Sequence, residues 1–135
     1  MRHVLTLTAL VALVALLGSP AGAGGDCCRD WYGYSPGYWK NHTDYWPHGV
    51  DPCDDVCDHL DCGPCDVTML EALRARGGGM NALLRMGAAA YLNTMYRNDY
   101  VLEPWRVQLY FCRGVYWWNN DGNWEYWKNL LETWD

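Results

Sequence analysis

Met80-Asn81-Ala82-Leu83-Leu84-Arg85-Met86-Gly87-Ala88-Ala89-Ala90-Tyr91-Leu92-Asn93-Thr94-Met95-Tyr96-Arg97 is the stretch that sets the fold class. Leu83, Leu84, Gly87, Ala88, Tyr91, Leu92 and Met95 keep to one side at helical period, which predicts a helix from about Met80 to Arg97. The small run Gly87 to Ala90 leaves room for a second element to come close. Upstream, Gly77-Gly78-Gly79 marks the end of an earlier helix, because glycine supplies the left-handed geometry of a helix stop. That earlier helix is predicted from Val67 to about Arg76, with Asp66 or Thr68 as cap and Met69, Leu70 and Leu73 on its apolar face.

Downstream, Asn98-Asp99 breaks the pattern and Pro104 is placed for a first helical turn. A third helix would set Trp105, Leu109 and Cys112 on one face, with Cys112 available to tie it to the N-terminal coat. Val107, Leu109 and Phe111 also alternate with Gln108 and Tyr110, so a short strand is the alternative. Asn119-Asn120-Asp121-Gly122 reads as a turn. Trp124, Trp127, Leu131 and Trp134 then predict a last amphipathic helix over 124–134. The expected fold is mainly α: a small disulfide-rich domain with an irregular, Cys-rich N-terminal half and two to four helices.

Residues 1–23 read as a signal peptide. Arg2 and His3 precede an apolar run from Val4 to Leu17, and Ala21-Gly22-Ala23 is a small-x-small cleavage site. The apolar run is shorter than the ~20 residues a spanning helix needs. A single domain over 24–135 is expected, secreted and without a membrane span. It keeps nine basic residues against sixteen acidic ones, a net charge of −7. That balance disfavours nucleic acid, whose binding rests on neutralising phosphates.

Seven cysteines, Cys27, Cys28, Cys53, Cys57, Cys62, Cys65 and Cys112, all follow the signal. In an exported chain of this size they read as a disulfide framework with one thiol left over. Six of them fall in the turn-rich zone Gly24–Asp66 with Pro36, Pro47, Pro52 and Pro64, so that zone should be an irregular, stapled coat. Cys53 to Cys65, with His48 and His59 nearby, also has the donors of a zinc site. The Cys62–Cys65 pair has the spacing of a redox motif, but no thioredoxin-like context surrounds it. Asp51, Asp54, Asp55, Asp58, Asp61 and Asp66 offer oxygens to calcium, without the spacing of an EF-hand. Export favours disulfides and a solvated acidic loop, so no cofactor is expected, with zinc or calcium as the alternatives.

Ser35-Pro36-Gly37-Tyr38-Trp39-Lys40-Asn41-His42 is the other distinctive run, and Trp46-Pro47 follows it. With the block Leu83-Leu84-Arg85-Met86-Gly87-Ala88-Ala89-Ala90-Tyr91-Leu92-Asn93, it resembles an uncharacterised domain family of secreted and surface-attached microbial proteins. That family carries a Pro-Gly-Tyr-Trp-Lys-Asn-His signature. The resemblance spans roughly 28–106 and implies an extracellular or cell-surface setting. The Cys53–Cys65 insert and the Trp-rich segment 107–135 depart from the family pattern. No activity is established for the family, so no catalytic residue carries over.

Twenty aromatic residues, nine Trp, ten Tyr and one Phe, exceed what so small a core can hide. Exposed aromatics mark contact surfaces. Tyr38, Trp39, Lys40, His42 and Trp46 form one candidate binding face, since aromatic rings stack on sugars while Lys and His supply directional bonds. The alternative is that Tyr38 and Trp39 anchor a loop in the core while Asn41 and His42 cap backbone groups. Trp117, Trp118, Trp124 and Trp127 form a second candidate face, or else pack on the core. Asn41-His42-Thr43 also matches a glycosylation sequon. No nucleophile elbow, His-Glu-x-x-His or phosphate loop is present. His42 with Asp44, and Glu71 with Glu103, are the only acid–base pairings suggested. The expected function is therefore a non-catalytic interaction or structural protein of the cell surface or matrix. Its partner would be a polysaccharide or an extracellular protein, including a second copy of itself. The alternatives are an extracellular hydrolase and a zinc module.

Overall fold

Six helices build the domain in a computed structural model that describes residues 32–132: α1 Pro36–Asn41, α2 Val56–Leu60, α3 Met69–Arg74, α4 Met80–Tyr96, α5 Pro104–Asn119 and α6 Trp124–Asn129. A 3-10 turn at Thr43–Tyr45 follows α1. The segment 1–23 expected to be a signal peptide, Cys27, Cys28 and Trp134 lie outside the described residues. The fold is mainly α, and no strand occurs among the described residues beyond one isolated bridge, Asp55 to Thr68. Six helices exceed the two to four expected because short turns in the N-terminal half close into helices of five or six residues.

The central helix, α4, touches α1, α2, α3, α5 and α6. From Gly87 to Asn93 every residue is buried, the pattern of a helix enclosed on all sides. Met95, on the apolar side by its spacing, is 40% exposed because the helix has left the core by its last turn. The α3 helix starts at Met69 behind a capping box. The Glu71 amide donates to Thr68 Oγ1 (3.2 Å), and Glu71 Oε2 accepts from the Thr68 amide (2.9 Å). It ends at Arg74, two residues short of the expected stop. The carbonyls of Ala75 and Gly77 are then taken by the Arg85 guanidinium of α4.

The 104–119 segment is a helix, but its buried face is Val107, Phe111 and Gly114 rather than Trp105, Leu109 and Cys112. Two glycines explain the choice. A Cβ on Gly114 would stand 2.7 Å from Leu83 Cδ1, and one on Gly87 would stand 2.5 Å from Phe111 Cδ2. Each helix thus seats a large side chain over the other's glycine, a contact the Trp105–Leu109 face cannot offer. Cys112, half-buried, does tie α5 to the N-terminal half through its bond to Cys62. The last helix stops at Asn129, short of the expected 134, and Leu131 enters the core from the turn beyond it.

Cys57 pairs with Cys65, and Cys62 with Cys112. Cys62 and Cys65 therefore belong to different bridges, which removes the redox-pair reading. Three of the four thiols that a zinc site between Cys53 and Cys65 would need, Cys57, Cys62 and Cys65, are taken up in disulfides. Cys53 is an exposed free thiol. No described helix is long and apolar enough to cross a membrane.

Candidate ligand-binding face

The signature run is helical rather than looped. Ser35 Oγ accepts from the Tyr38 amide (3.3 Å), and Pro36 takes the first helical position, where a missing N–H costs nothing. Trp39 then points inward and is fully buried. Its indole Nε1 donates to Asn93 Oδ1 (3.0 Å), which also accepts from the Tyr34 amide (2.8 Å). Asn93 Nδ2 donates to the Tyr34 carbonyl (2.9 Å). One buried amide on α4 therefore fixes the entry to α1. Gly33 is required beside it, since any Cβ there would overlap the Asn93 side chain. Trp39 belongs to the core and offers no ring to a ligand.

Tyr38 and His42 lie on the outer side of α1 in a column of rings. Tyr34 and Tyr38 stack at 4.0 Å between centroids, and Tyr38 and His42 at 4.2 Å. Tyr38 is thus covered on both faces and presents only its edge. Burial first, then the phenols of Tyr34, Tyr96 and Tyr45, raise the Tyr38 hydroxyl above the ordinary tyrosine range. His42 Nδ1 donates to the Tyr38 carbonyl (2.8 Å), leaving Nε2 as the outward nitrogen. Asn41 Nδ2 donates to the Gly37 carbonyl (2.9 Å), and Lys40 is exposed. Tyr45 and Tyr96, 59% and 44% exposed, complete the cluster.

Beside this column lies an open trough of about 650 Å³, lined by residues that include Asp44, Trp46, His48, Asp51 and Asp54. Trp46 Nε1 donates to the Trp39 carbonyl (3.0 Å), so the last turn of α1 fixes the indole in one orientation. The opposite wall is held by its own carboxylates. Asp51 Oδ1 accepts from the Cys53 amide (2.8 Å), and Asp54 Oδ2 accepts from the Asp51 amide (2.7 Å). His59 Nε2 reaches the same Asp54 oxygen at 2.8 Å. The Asp51 amide, followed by His59, holds the Asp54 carboxyl below the usual carboxylate range. Asp44 and His48, both exposed, have no side-chain partner among the described residues.

The second aromatic group is only partly free. Trp118 packs over Gly79, where a Cβ would stand 2.6 Å from its ring, and meets Trp124 edge-on at 5.2 Å. Trp117 covers Gly122 in the turn before α6. Trp117 and Trp118 keep 37% and 39% exposure, while Trp124 and Trp127 are half-buried, the latter beside Tyr110.

The suggested acid–base pairings do not form: His42 bonds backbone, and Glu71 is occupied in the α3 cap. Among the described residues, no three His, Cys, Asp or Glu side chains converge as a metal site would need. Sequence reasoning missed Tyr34, Tyr45 and Tyr96. The i, i+4 spacing of Tyr34, Tyr38 and His42 signals the stack, whereas nothing local links Tyr96 to it. No protein-family model, curated protein or solved structure matches this chain.

Proposed function

We propose that the protein is a secreted, non-catalytic glycan-binding module whose site is the trough beside α1. The observation that carries this is a fixed indole, Trp46, in one trough with polar groups that have no side-chain partner among the described residues, Asp44 and His48. A sugar ring needs that combination: an apolar face to stack on, and acceptors for its hydroxyls. The volume suits a few sugar units, and the open form lets a longer chain continue past the site. A ring held before binding loses little entropy on binding.

The charge of the trough narrows the class of glycan. Its lining holds Asp44, Asp51 and Asp54 and neither Lys nor Arg, which favours neutral or amino sugars over uronates and sulfated sugars. A hydrolase would need a carboxyl kept protonated to act as general acid. The shifted carboxyl here, Asp54, is moved the other way. Export is supported by the signal-like segment 1–23 and by the two disulfides.

Native electrophoresis through gels cast with soluble polysaccharides tests this reading. Neutral glycans should retard the natural chain, polyuronates should not, and Trp46→Ala should abolish the retardation. Equal mobility in every gel, or retardation that survives Trp46→Ala, would refute it.

A further inference from the structure

The outward face of α5 is an apolar stripe with unlike charges on its two shoulders. Trp105, Leu109 and Tyr116 are 55%, 42% and 54% exposed. At 100° per residue they fall on one narrow line along the helix. One shoulder carries Arg106 and Arg113, both exposed, with the Arg106 guanidinium 5.2 Å from the Trp105 ring centre. The helix holds no Asp or Glu, and neither arginine forms an ion pair among the described residues. The other shoulder, at Gln108 and Cys112, is where the acidic insert is held. Gln108 Nε2 donates to the His59 carbonyl (2.9 Å), and Cys112 is bonded to Cys62. Asp58 and Asp61 of that insert are exposed and also form no ion pair among the described residues.

We propose that this face binds a second copy of the chain, with the two α5 helices parallel about a two-fold axis running along them. The charges select that arrangement. A two-fold along the helices sets each arginine shoulder against the partner's acidic shoulder and closes the apolar stripes on each other. The antiparallel alternative sets arginine against arginine and aspartate against aspartate. Three apolar side chains a side fall short of the ~1,600 Å² of a standard interface, which puts the dissociation constant in the roughly micromolar range. This surface is separate from the trough and does not depend on the glycan reading.

Sedimentation of the oxidised natural chain from about 1 to 500 µM is the test, run at low and at high salt. The expected result is a monomer–dimer equilibrium that weakens with salt and runs as monomer on non-reducing denaturing gels. Leu109→Glu should leave only monomer. Arg113→Glu and Asp61→Asn should each weaken association severalfold, and asparagine tolerates the positive φ of 61° at that position. If Leu109→Glu fails to fold by circular dichroism, the two charge variants decide. A monomer at every concentration would overturn the proposal, as would a dimer indifferent to all three substitutions. So would a covalent dimer through Cys53. Retention of any α5 variant effect on glycan binding without a dimer would assign the face to glycan instead and overturn it too.

Discussion

Asn93 is the only buried polar residue among those described, and it joins two segments 54 or more positions apart. Asn93→Ala would strand the Trp39 indole N–H and both backbone groups of Tyr34. Each orphaned group costs about 1–3 kcal/mol, so a loss of roughly 3 kcal/mol or more is expected in denaturant midpoints. A second prediction concerns Tyr100, whose hydroxyl is pushed up to about 12 by burial, opposed by a hydrogen bond to Asn93. The folded chain keeps that proton where the unfolded chain, near pH 10, has lost it. The resulting stability is complete below about pH 10 and falls as the pH rises toward 12, by roughly 3 kcal/mol in all. Denaturation midpoints between pH 9 and 12 should show this fall, and Tyr100→Phe should flatten it. At this scale the sequence was partly legible. Ser35-Pro36 announces a helix start, yet a six-residue helix leaves too short an apolar pattern to show that Trp39 points inward. Trp46 and the trough acids stood out as residue types. Their convergence depends on turns between 43 and 54 that no periodicity encodes.

At the scale of elements, the α4–α5 contact decides the architecture. Gly114→Ala would push a methyl against Leu83, itself fully buried and unable to give way. Overpacking of this kind costs about 1–3 kcal/mol, which outweighs the up to ~1 kcal/mol that alanine gains over glycine in a helix. Gly78→Ala, where a Cβ meets nothing within 4 Å, should be close to neutral. Thermal unfolding of the pair checks the contrast. If both variants melted alike, the close approach of the two helices would be wrong. The same contact explains what the sequence concealed. The length of α4 and the small run Gly87–Ala90 were readable because every turn of that helix is apolar. On α5, two stripes compete, and the heavier one, Trp105 with Leu109, is the one left outside. Only the position of Gly114 marks the inner face.

For the whole molecule, a modest core is supplemented by cross-links of unequal reach. Cys62–Cys112 spans 50 positions and Cys57–Cys65 spans 8. Chain-entropy reasoning gives about 4 kcal/mol for the first and about 2.5 for the second. The double variant Cys62→Ser with Cys112→Ser should therefore unfold at lower denaturant than Cys57→Ser with Cys65→Ser. The reverse order would mean that the long bridge is not what holds α5 to the N-terminal half. Cysteine density made the staple legible from the sequence, but not its connectivity, because pairing depends on which helix face turns inward. The long bridge also sets the insert against α5, and the short one closes α2 within it. The trough wall at Asp54 is tied to α2 through His59. Isothermal titration of a soluble neutral polysaccharide into the natural chain and into Trp46→Ala tests the binding claim most directly. The account predicts saturable binding to the natural chain, weakened at least about tenfold, or 1.4 kcal/mol, in a variant that still melts cooperatively. No heat of binding with the natural chain, or equal affinity for both, would contradict it.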